Sequence, residues 1–227
     1  MVPGETRINT ILTDLEDKTQ TRISALGPVV SAADQRLFLK KLLKVRPAFW
    51  AIGGSPSRGM APDIYKKYIF SLQRTGVPCI LDADDEWLRL GIESKPFMIK
   101  PNEYEIERLV NRKLSGIQDY FGAARELVRR GIRIVIVSLG EKGALFVSEK
   151  EAFCVPGIPE KVTSKVGAGD SLVGGFVLGL FRKMSLERAA ALGVAAGTSA
   201  VMRGAPRLCR RADIPSLLRK IRIRHLR

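Results

Sequence analysis

The chain has 227 residues, of which 45% are hydrophobic and 27% are charged, the balance of a folded globular protein rather than a disordered one. Its net charge of +15 attracts nucleic acids, anionic lipids, nucleotides and sugar phosphates alike, so charge alone selects no function. A chain of this length fits within one domain and can bury a core without staples. The single histidine, His225, argues against a histidine-dependent hydrolase triad and a histidine-ligated metal centre.

Cysteine usage and apolar segments predict the compartment. The three cysteines, Cys79, Cys154 and Cys209, are an odd number and lie too far apart in sequence for a metal or redox pair. We therefore expect a reducing, cytoplasmic environment. The start of the chain lacks the basic and apolar regions of a signal peptide, and the longest apolar stretch, 172–181, is too short to span a bilayer. We expect a soluble protein without a membrane partner.

Short apolar runs alternate with helical patterns along the middle of the chain, which is typical of a parallel sheet covered by helices. In chain order the predicted elements are hairpin strands 6–12 and 19–24, strand 48–52, helix 63–73, strands 78–81 and 97–99, helix 117–130, strand 132–137, hairpin strands 144–147 and 152–155, and helices 168–183 and 186–202. Polar and glycine-rich segments follow the strands, where open α/β sheets bind ligands. The sequence predicts one α/β domain over residues 1–227.

The C-terminal segment carries much of the excess positive charge. Its basic residues are Arg207, Arg210, Arg211, Arg219, Lys220, Arg222, Arg224 and Arg227. We interpret this segment as a solvated basic tail, because no aromatic residues are interleaved with the arginines as in a nucleic-acid-binding surface. We expect no nucleic-acid partner, although a basic protein that uses an enzyme-like fold to bind nucleic acid stays an alternative.

The segment Gly167-Ala168-Gly169-Asp170 is the most informative one for chemistry. It is neither a G-x-x-x-x-G-K-[S/T] loop nor a G-x-G-x-x-G fingerprint, since Leu172 stands where the third glycine belongs. Two glycines allow a tight turn whose N–H groups converge, and a helix N-terminus favours phosphate. Asp170 in the first helical turn is either a helix cap or a catalytic base, and the local sequence leaves both open.

Two further segments have a structural and a functional interpretation each. Ser138-Leu139-Gly140-Glu141-Lys142-Gly143 follows the strongest predicted strand, and its glycines suit either close approach to a ligand or a plain turn into the hairpin. In Lys100-Pro101-Asn102-Glu103-Tyr104-Glu105, Asn102 and Glu105 have the spacing of a capping box at the start of a helix. Alternatively they organise water around a magnesium–phosphate group.

The order K-P-N-x-x-E, S-L-G-x-x-G and V-G-A-G-D resembles the ribokinase-like carbohydrate kinase family. The segments G-E-T-R-I-N at 4–9 and G-S-P-S-R-G at 54–59 are similar to those of its 1-phosphofructokinase and tagatose-6-phosphate kinase branch. The resemblance runs from residue 4 to about residue 202. It implies a three-layer α/β/α sandwich with a mainly parallel sheet and a partial β lid, in which residues 6–24 supply lid strands and a possible homodimer contact.

The resemblance implies a kinase that transfers the γ-phosphate of ATP to a ketohexose phosphate. Fructose 1-phosphate, giving fructose 1,6-bisphosphate, is the first expected acceptor, and tagatose 6-phosphate and fructose 6-phosphate are the alternatives. Asp170 would be the base, beside an anion hole at Gly167, Ala168 and Gly169. The other implied contacts are Lys100, Asn102, Ser138, Gly140, Glu141, Gly143 and Gly169 for ATP, Asn102 and Glu105 for Mg²⁺, and Arg7, Asn9, Ser55 and Asp170 for the sugar phosphate.

The sequence departs from the family pattern mainly on the sugar side. Family members have an early Asp and a G-G-K-G-x-N loop before the G-E-T-R-I-N segment, and this sequence has neither. We therefore expect a sheet with an exposed edge, and a truncated or split kinase that is inactive alone is a second hypothesis. Arg58 adds a charge near the sugar segment, Asp85 stands where glycine is common, and Lys165 replaces a frequent threonine.

Overall fold

The computed structural model describes residues 4–14, 19–203 and 208–226. Strands β1 (Asn9–Thr13) and β2 (Gln20–Ser24) form an antiparallel two-stranded sheet of their own. This is the hairpin predicted for the lid, and its apolar side chains Ile8, Leu12 and Ile23 are exposed. This hairpin is therefore separate from the main sheet and exposes apolar surface to solvent, and its role as a lid stays a prediction.

The main sheet has seven strands, whose spatial order follows the chain. They are β3 (Trp50–Gly53), β4 (Cys79–Asp82), β5 (Met98–Ile99), β6 (Ile134–Ser138), β7 (Ala144–Ser148), β8 (Ala152–Val155) and β9 (Arg224–His225). Strands β3 to β6 are parallel, and β6 to β9 pair antiparallel. Among the described residues β3 pairs with β4 alone, so one edge of the sheet is open, as the sequence predicts.

Eight α-helices accompany these strands in the described residues. They are α1 (Ala32–Leu42), α2 (Ile64–Gln73), α3 (Asp85–Gly91), α4 (Glu103–Val110), α5 (Ile117–Arg129), α6 (Ala168–Phe181), α7 (Leu186–Val201) and α8 (Ile214–Lys220). None of them is long and apolar enough to cross a membrane. The predicted helices appear as α2, α5, α6 and α7, each within a few residues of its expected bounds.

The sheet separates two apolar cores because successive strand residues point to opposite faces. On one face Leu81, Val135 and Val137 pack with residues of α2 to α5, and on the other Ile80 and Ile136 pack with residues of α6 and α7. This three-layer α/β/α arrangement confirms the predicted fold class. The carboxyl ends of the parallel strands β3 to β6 therefore lie at the same end of the sheet, where α/β proteins of this kind bind ligands.

Sequence patterns missed four elements whose residues lie largely at the surface. Helix α1 has no fully buried residue, so its apolar positions show no single core-facing stripe, and α3 and α8 are only one or two turns long. Strand β9 joins β8 through its backbone while Arg224 and His225 stay exposed. The described arginines of the basic segment are exposed as expected, although part of that segment is α8 and β9; Arg207 and Arg227 lie outside the described residues.

Candidate active site

The carboxyl ends of β3 and β4 are in direct main-chain contact. The N–H of Gly54 donates to the carbonyl oxygen of Asp82 at 3.2 Å. A Cβ on Gly53 would lie 2.8 Å from that same oxygen, so this close approach requires a glycine. Asp82 therefore sits beside the segment that the sequence assigns to the sugar phosphate.

The side chain of Asp82 forms an ion pair with Lys100. Lys100 follows β5, is only 8% exposed, and its Nζ lies 3.0 Å from Oδ1 of Asp82. Burial raises the pKa of the Asp82 carboxyl; the Lys100 ammonium opposes that rise, and the negative charges of Asp170 and Asp84 add to it. Three acids, Asp82, Asp84 and Asp170, and one lysine, Lys100, therefore lie close enough to influence one another.

Lys100 also reaches the start of α6. A Cβ on Gly169 would lie 3.2 Å from Nζ of Lys100, so the ammonium rests against the backbone of the Gly167–Asp170 segment. The structure thereby joins two motifs that are about 70 residues apart in the chain. A buried ammonium beside a helix N-terminus is a strong attractor for phosphate oxygens.

The first turn of α6 settles one of the two interpretations of Asp170. The N-cap residue is Gly167, with φ +75°, and no side chain caps the helix. Asp170 is exposed in the first turn, so the cap interpretation is wrong. The first intrahelical bond runs from the N–H of Ser171 to the carbonyl of Gly167 at 2.9 Å, and the helix itself supplies no acceptor for the amides before it.

Asn102 and Glu105 form the capping box that their spacing predicts. The Glu105 N–H donates to Oδ1 of Asn102 at 2.9 Å, and the Asn102 N–H donates to Oε2 of Glu105 at 2.8 Å. Burial raises the pKa of Glu105, while the bond from Asn102 and the charge of Lys100 lower it. Because the N–H of Ser138 donates to the carbonyl of Pro101 at 2.9 Å, the S-L-G segment lies directly beside this box.

The glycines after β6 serve the protein's own turn. Gly140 to Lys142 form a 3-10 turn into β7, so the hairpin interpretation is correct. A Cβ on Gly143, whose φ is +99°, would overlap the carbonyl oxygen of Val155. Gly143 is therefore required by the approach of a neighbouring strand. Gly140 and Glu141 are exposed and leave room for a ligand.

On the sugar side the structure brings Arg7 and Ser55 together. Nη2 of Arg7 donates to the main-chain carbonyl of Ser55 at 3.4 Å. Gly27, with φ +55°, packs against the same side chain, since a Cβ there would lie 3.2 Å from Cβ of Arg7. Asn9 lies at the exposed start of β1, paired with Ser24. Its expected contact with substrate stays a prediction.

Sequence reasoning missed three residues at this site, Asp82, Asp84 and Tyr65. An acid at the carboxyl end of a buried parallel strand was the available signal for Asp82. Oδ1 of Asp84 is buried and has no hydrogen-bond partner in the described part of the chain. The charge of Asp84 contributes to raising the pKa values of Asp82, Glu105 and Tyr65, which locates it among them.

The donor set suits a magnesium ion that is held chiefly by water and phosphate. Within residues 4–14, 19–203 and 208–226, no group of three or more His, Cys, Asp or Glu side chains is arranged to hold a metal ion alone. Mg²⁺ normally keeps several waters and uses one or two carboxylates together with substrate phosphates. Glu105 and Asp82 supply such carboxylates, and the unpartnered oxygen of Asp84 is a third polar group beside them.

A cavity of about 220 Å³ lies beside the site, lined by Asp85, Glu105 and Arg108 among others. A second cavity of about 390 Å³ is lined by Pro78 and Gly131 at the opposite ends of the strands. Asp170 lines neither, and its side chain is solvent-exposed.

Comparison with known proteins decides the family. The model of the pfkB family carbohydrate kinases matches residues 1–212, which include every motif described above. The chain belongs to this family. The resemblance stated from the sequence is thereby confirmed, as is the three-layer fold.

Individual members of the pfkB family are similar along most of this chain. The 1-phosphofructokinase of Escherichia coli K12 is 33% identical over 224 residues, 97% of this chain and 71% of its own length. The ATP-dependent 6-phosphofructokinase isozyme 2 of the same strain is 35% identical over 197 residues, 86% of this chain and 64% of its own. The crystal structure of E. coli phosphofructokinase-2 in complex with potassium superposes with a TM-score of 0.86 at 32% identity, covering 93% of this chain and 69% of that one.

The pfkB relatives are longer than this chain. The chain spans 64% of the 1-phosphofructokinase of Haemophilus influenzae, to which it is 32% identical over 88% of its own length. Roughly a third of each of these relatives therefore has no counterpart in this chain. For that reason the kinase activity of this chain is stated below as a proposal.

Proposed function

We propose that this protein is an ATP-dependent kinase of a ketohexose phosphate, with fructose 1-phosphate as the first acceptor and fructose 1,6-bisphosphate as the product. The observation that carries the proposal is the position of the Lys100 ammonium, which contacts Asp82 at 3.0 Å and lies against Gly169 at the start of α6. Phosphoryl transfer requires positioning and stabilisation of negative charge on the transferred group. A buried ammonium and the first-turn amides of α6, of which that of Ala168 has only a 3.5 Å bond to the carbonyl of Lys165, meet both requirements.

In this proposal Asp170 accepts the proton of the attacking sugar hydroxyl. Its exposed carboxylate is in the same helical turn as the amides of Ala168 and Gly169. A base must reach the hydroxyl while the amides reach the phosphoryl oxygens. One turn of helix provides both groups at a fixed separation, and the side chain has no capping role that would hold it elsewhere.

We assign the nucleotide to the surface beside the S-L-G segment. Asn102 and Ser138 are adjacent there through an isolated backbone bridge, and Gly140, Glu141 and Gly143 continue the same surface. Lys100 would hold the ATP phosphates, and Asn102 with Glu105 would order a magnesium ion among water ligands. Bound in this way, Mg²⁺ would neutralise charge on the phosphates.

We assign the phosphate already present on the sugar to Arg7 and Ser55, with Asn9 at the rim. A guanidinium group can donate two parallel hydrogen bonds to one phosphate. The bond from Arg7 to the Ser55 carbonyl already directs Arg7 toward the segment after β3.

The lid would also provide the contact of a homodimer, since Ile8, Leu12 and Ile23 are exposed on it. The free thiols of Cys79, Cys154 and Cys209 support a cytoplasmic, reducing location for a single kinase domain.

Fructose 1-phosphate is preferred because similarity to the E. coli 1-phosphofructokinase extends over 224 residues, against 197 for the 6-phosphofructokinase isozyme 2. Fructose 6-phosphate is the second candidate, since the latter identity is slightly higher at 35%. Tagatose 6-phosphate is the third. A split kinase that needs a further polypeptide is supported by the open edge of β3.

A coupled assay of ADP release with each of the three sugar phosphates tests these choices. We expect the largest kcat/KM with fructose 1-phosphate and a product that aldolase cleaves. ATP binding without turnover of any of the three would favour the split kinase. Absence of both ATP binding and sugar-phosphate binding in equilibrium dialysis would overturn the proposal.

A further inference from the structure

The turn after β3 is held by a tyrosine that none of the motifs contains. Tyr65 belongs to α2, is 7% exposed, and its hydroxyl donates to the carbonyl oxygens of Gly54 at 2.9 Å and Gly53 at 3.2 Å. The single proton is therefore shared between two successive carbonyls. This places a buried donor directly beneath the segment that leads to Ser55.

The turn itself has little else to fix it. Gly54 has φ +76°, and a Cβ there would meet no atom within 4 Å, so side-chain packing does not hold this residue. Glycine is the most freely rotating residue in a chain. Two main-chain groups of Gly54 are held instead, its N–H by the carbonyl of Asp82 at 3.2 Å and its carbonyl by Tyr65.

The next residue, Ser55, is the one that contacts Arg7. A rotation at Gly54 would move the Ser55 carbonyl and release the guanidinium. Arg7 is also close enough to Tyr65 that its charge lowers the pKa of the phenol, whereas burial and the charge of Asp84 raise it, with a net value of about 12. The hydroxyl therefore keeps its proton, and its donor role, throughout the neutral range.

We propose that Tyr65 is a positioning residue for the sugar phosphate, acting through the Gly53–Gly54 turn to hold Ser55 and Arg7 in place. This inference rests on the proposed function. It assigns no contact between Tyr65 and the substrate. It predicts instead that the Tyr65 hydroxyl affects the binding of the sugar phosphate and not that of ATP. The proposed ATP surface lies across β4 and β5 from this turn.

Helix α2 supplies a matched control one turn away. Tyr68 is also 7% exposed, and its hydroxyl has no hydrogen-bond partner in the described residues. Tyr65→Phe and Tyr68→Phe each remove one buried oxygen, but only the first removes a bond to the turn. Sugar-phosphate affinity, KM for each substrate, kcat and thermal midpoint are measured for both variants and for the unchanged protein.

We expect Tyr65→Phe to weaken fructose 1-phosphate binding about 5- to 10-fold, the worth of one hydrogen bond, with KM for ATP and kcat within about 2-fold. Tyr68→Phe should leave all of these unchanged. The inference would be overturned if the two variants had equal effects, if Tyr65→Phe weakened the binding of ATP as much as that of fructose 1-phosphate, or if it weakened neither. None of these results would affect the kinase proposal. Failure of the unchanged protein to bind or phosphorylate any sugar phosphate would overturn both.

Discussion

The ammonium of Lys100 lies 3.0 Å from the carboxylate of Asp82 and directly against the backbone of Gly169. This relationship connects the end of β4, the segment after β5 and the first turn of α6. Each of these segments is a common structural feature when taken alone. Together they form a small charged site on an otherwise apolar framework, and the buried lysine connects them.

Replacement of Lys100 by Met should abolish most of the activity. The lysine is expected to stabilise charge on the transferred phosphoryl, so we predict a fall in kcat of at least about 100-fold. The variant should also unfold more easily, by about 1–3 kcal/mol, because Asp82 keeps a partly buried charge without its partner. Enzyme kinetics and urea denaturation measure the two effects.

Lys66→Met is the control for this change, since Lys66 pairs with Glu93 on the surface. It should alter neither kcat nor stability by a measurable amount. Unchanged kcat in Lys100→Met would contradict the role given to the buried ammonium.

Asp170→Asn should separate chemistry from folding. The side chain is exposed and caps no helix, so the thermal midpoint should stay within about 2 °C, as for surface substitutions in general. Loss of the base should lower kcat by about 100- to 10,000-fold, with the dissociation constant for ATP unchanged. Glu86→Gln, in the exposed first turn of α3, is the matched acid and should keep full activity.

Two glycines of α6 provide a sharper test of the contact with Lys100. A methyl at Gly169 would lie 3.2 Å from Nζ of Lys100, whereas a methyl at Gly174 would meet nothing within 4 Å. Ala stabilises a helix relative to Gly by about 0.5–1 kcal/mol. Gly174→Ala should therefore raise the free energy of unfolding at full activity. Gly169→Ala should lower kcat, because the ammonium would have to move by a few tenths of an ångström, and equal activities of the two variants would contradict the role given to this contact.

The sequence predicted the parallel strands from continuous apolar runs, since the central strands β4 and β6 are buried on both faces. It predicted helices α2, α5, α6 and α7 because each is long enough to show a helical or largely apolar pattern. It did not predict α1 or β9, since α1 has no fully buried residue and β9 is two exposed residues long. Elements that contribute little to a core leave little periodicity to detect.

For the site, the order of the motifs K-P-N-x-x-E, S-L-G-x-x-G and V-G-A-G-D along the chain was enough to select these segments. It did not explain the role of every residue in them. The sequence left open whether Gly143 serves a turn or a ligand; the structure shows that it is required by the approach to Val155, and its contact with nucleotide stays a prediction. Asp82 and Tyr65 were missed because an acid after a strand and a tyrosine in an apolar helix are ordinary features. Only their tertiary contacts, to Lys100 and to the Gly53–Gly54 turn, distinguish them.

Asn102 has a structural role that substitution can separate from its proposed role at magnesium. Asn102→Ala removes the acceptor for the Glu105 N–H and should lower the free energy of unfolding by about 0.5–2 kcal/mol. Asn102→Asp keeps the cap, because aspartate caps helices as well as asparagine does, and should retain stability in urea titrations. If Asn102→Asp lowered the free energy of unfolding as much as Asn102→Ala does, the capping box would not be what stabilises α4.

Asp213 should make stability depend on pH at the acidic end. Its carboxylate accepts from Arg203 at 2.6 Å and from the fully buried hydroxyl of Ser199 at 2.7 Å, and these bonds hold its pKa below the ordinary value of 3.8. A lowered folded-state pKa gives stability that is complete above the unfolded value and is lost as the pH falls through the folded value. Asp213→Asn should therefore be less stable than the unchanged protein at pH 6, and the difference should shrink progressively below about pH 4. Urea midpoints from pH 6 down to pH 2.5 measure this, with Glu149→Gln at an exposed position as the reference, and a difference that stays constant over the range would show that the carboxylate charge contributes nothing.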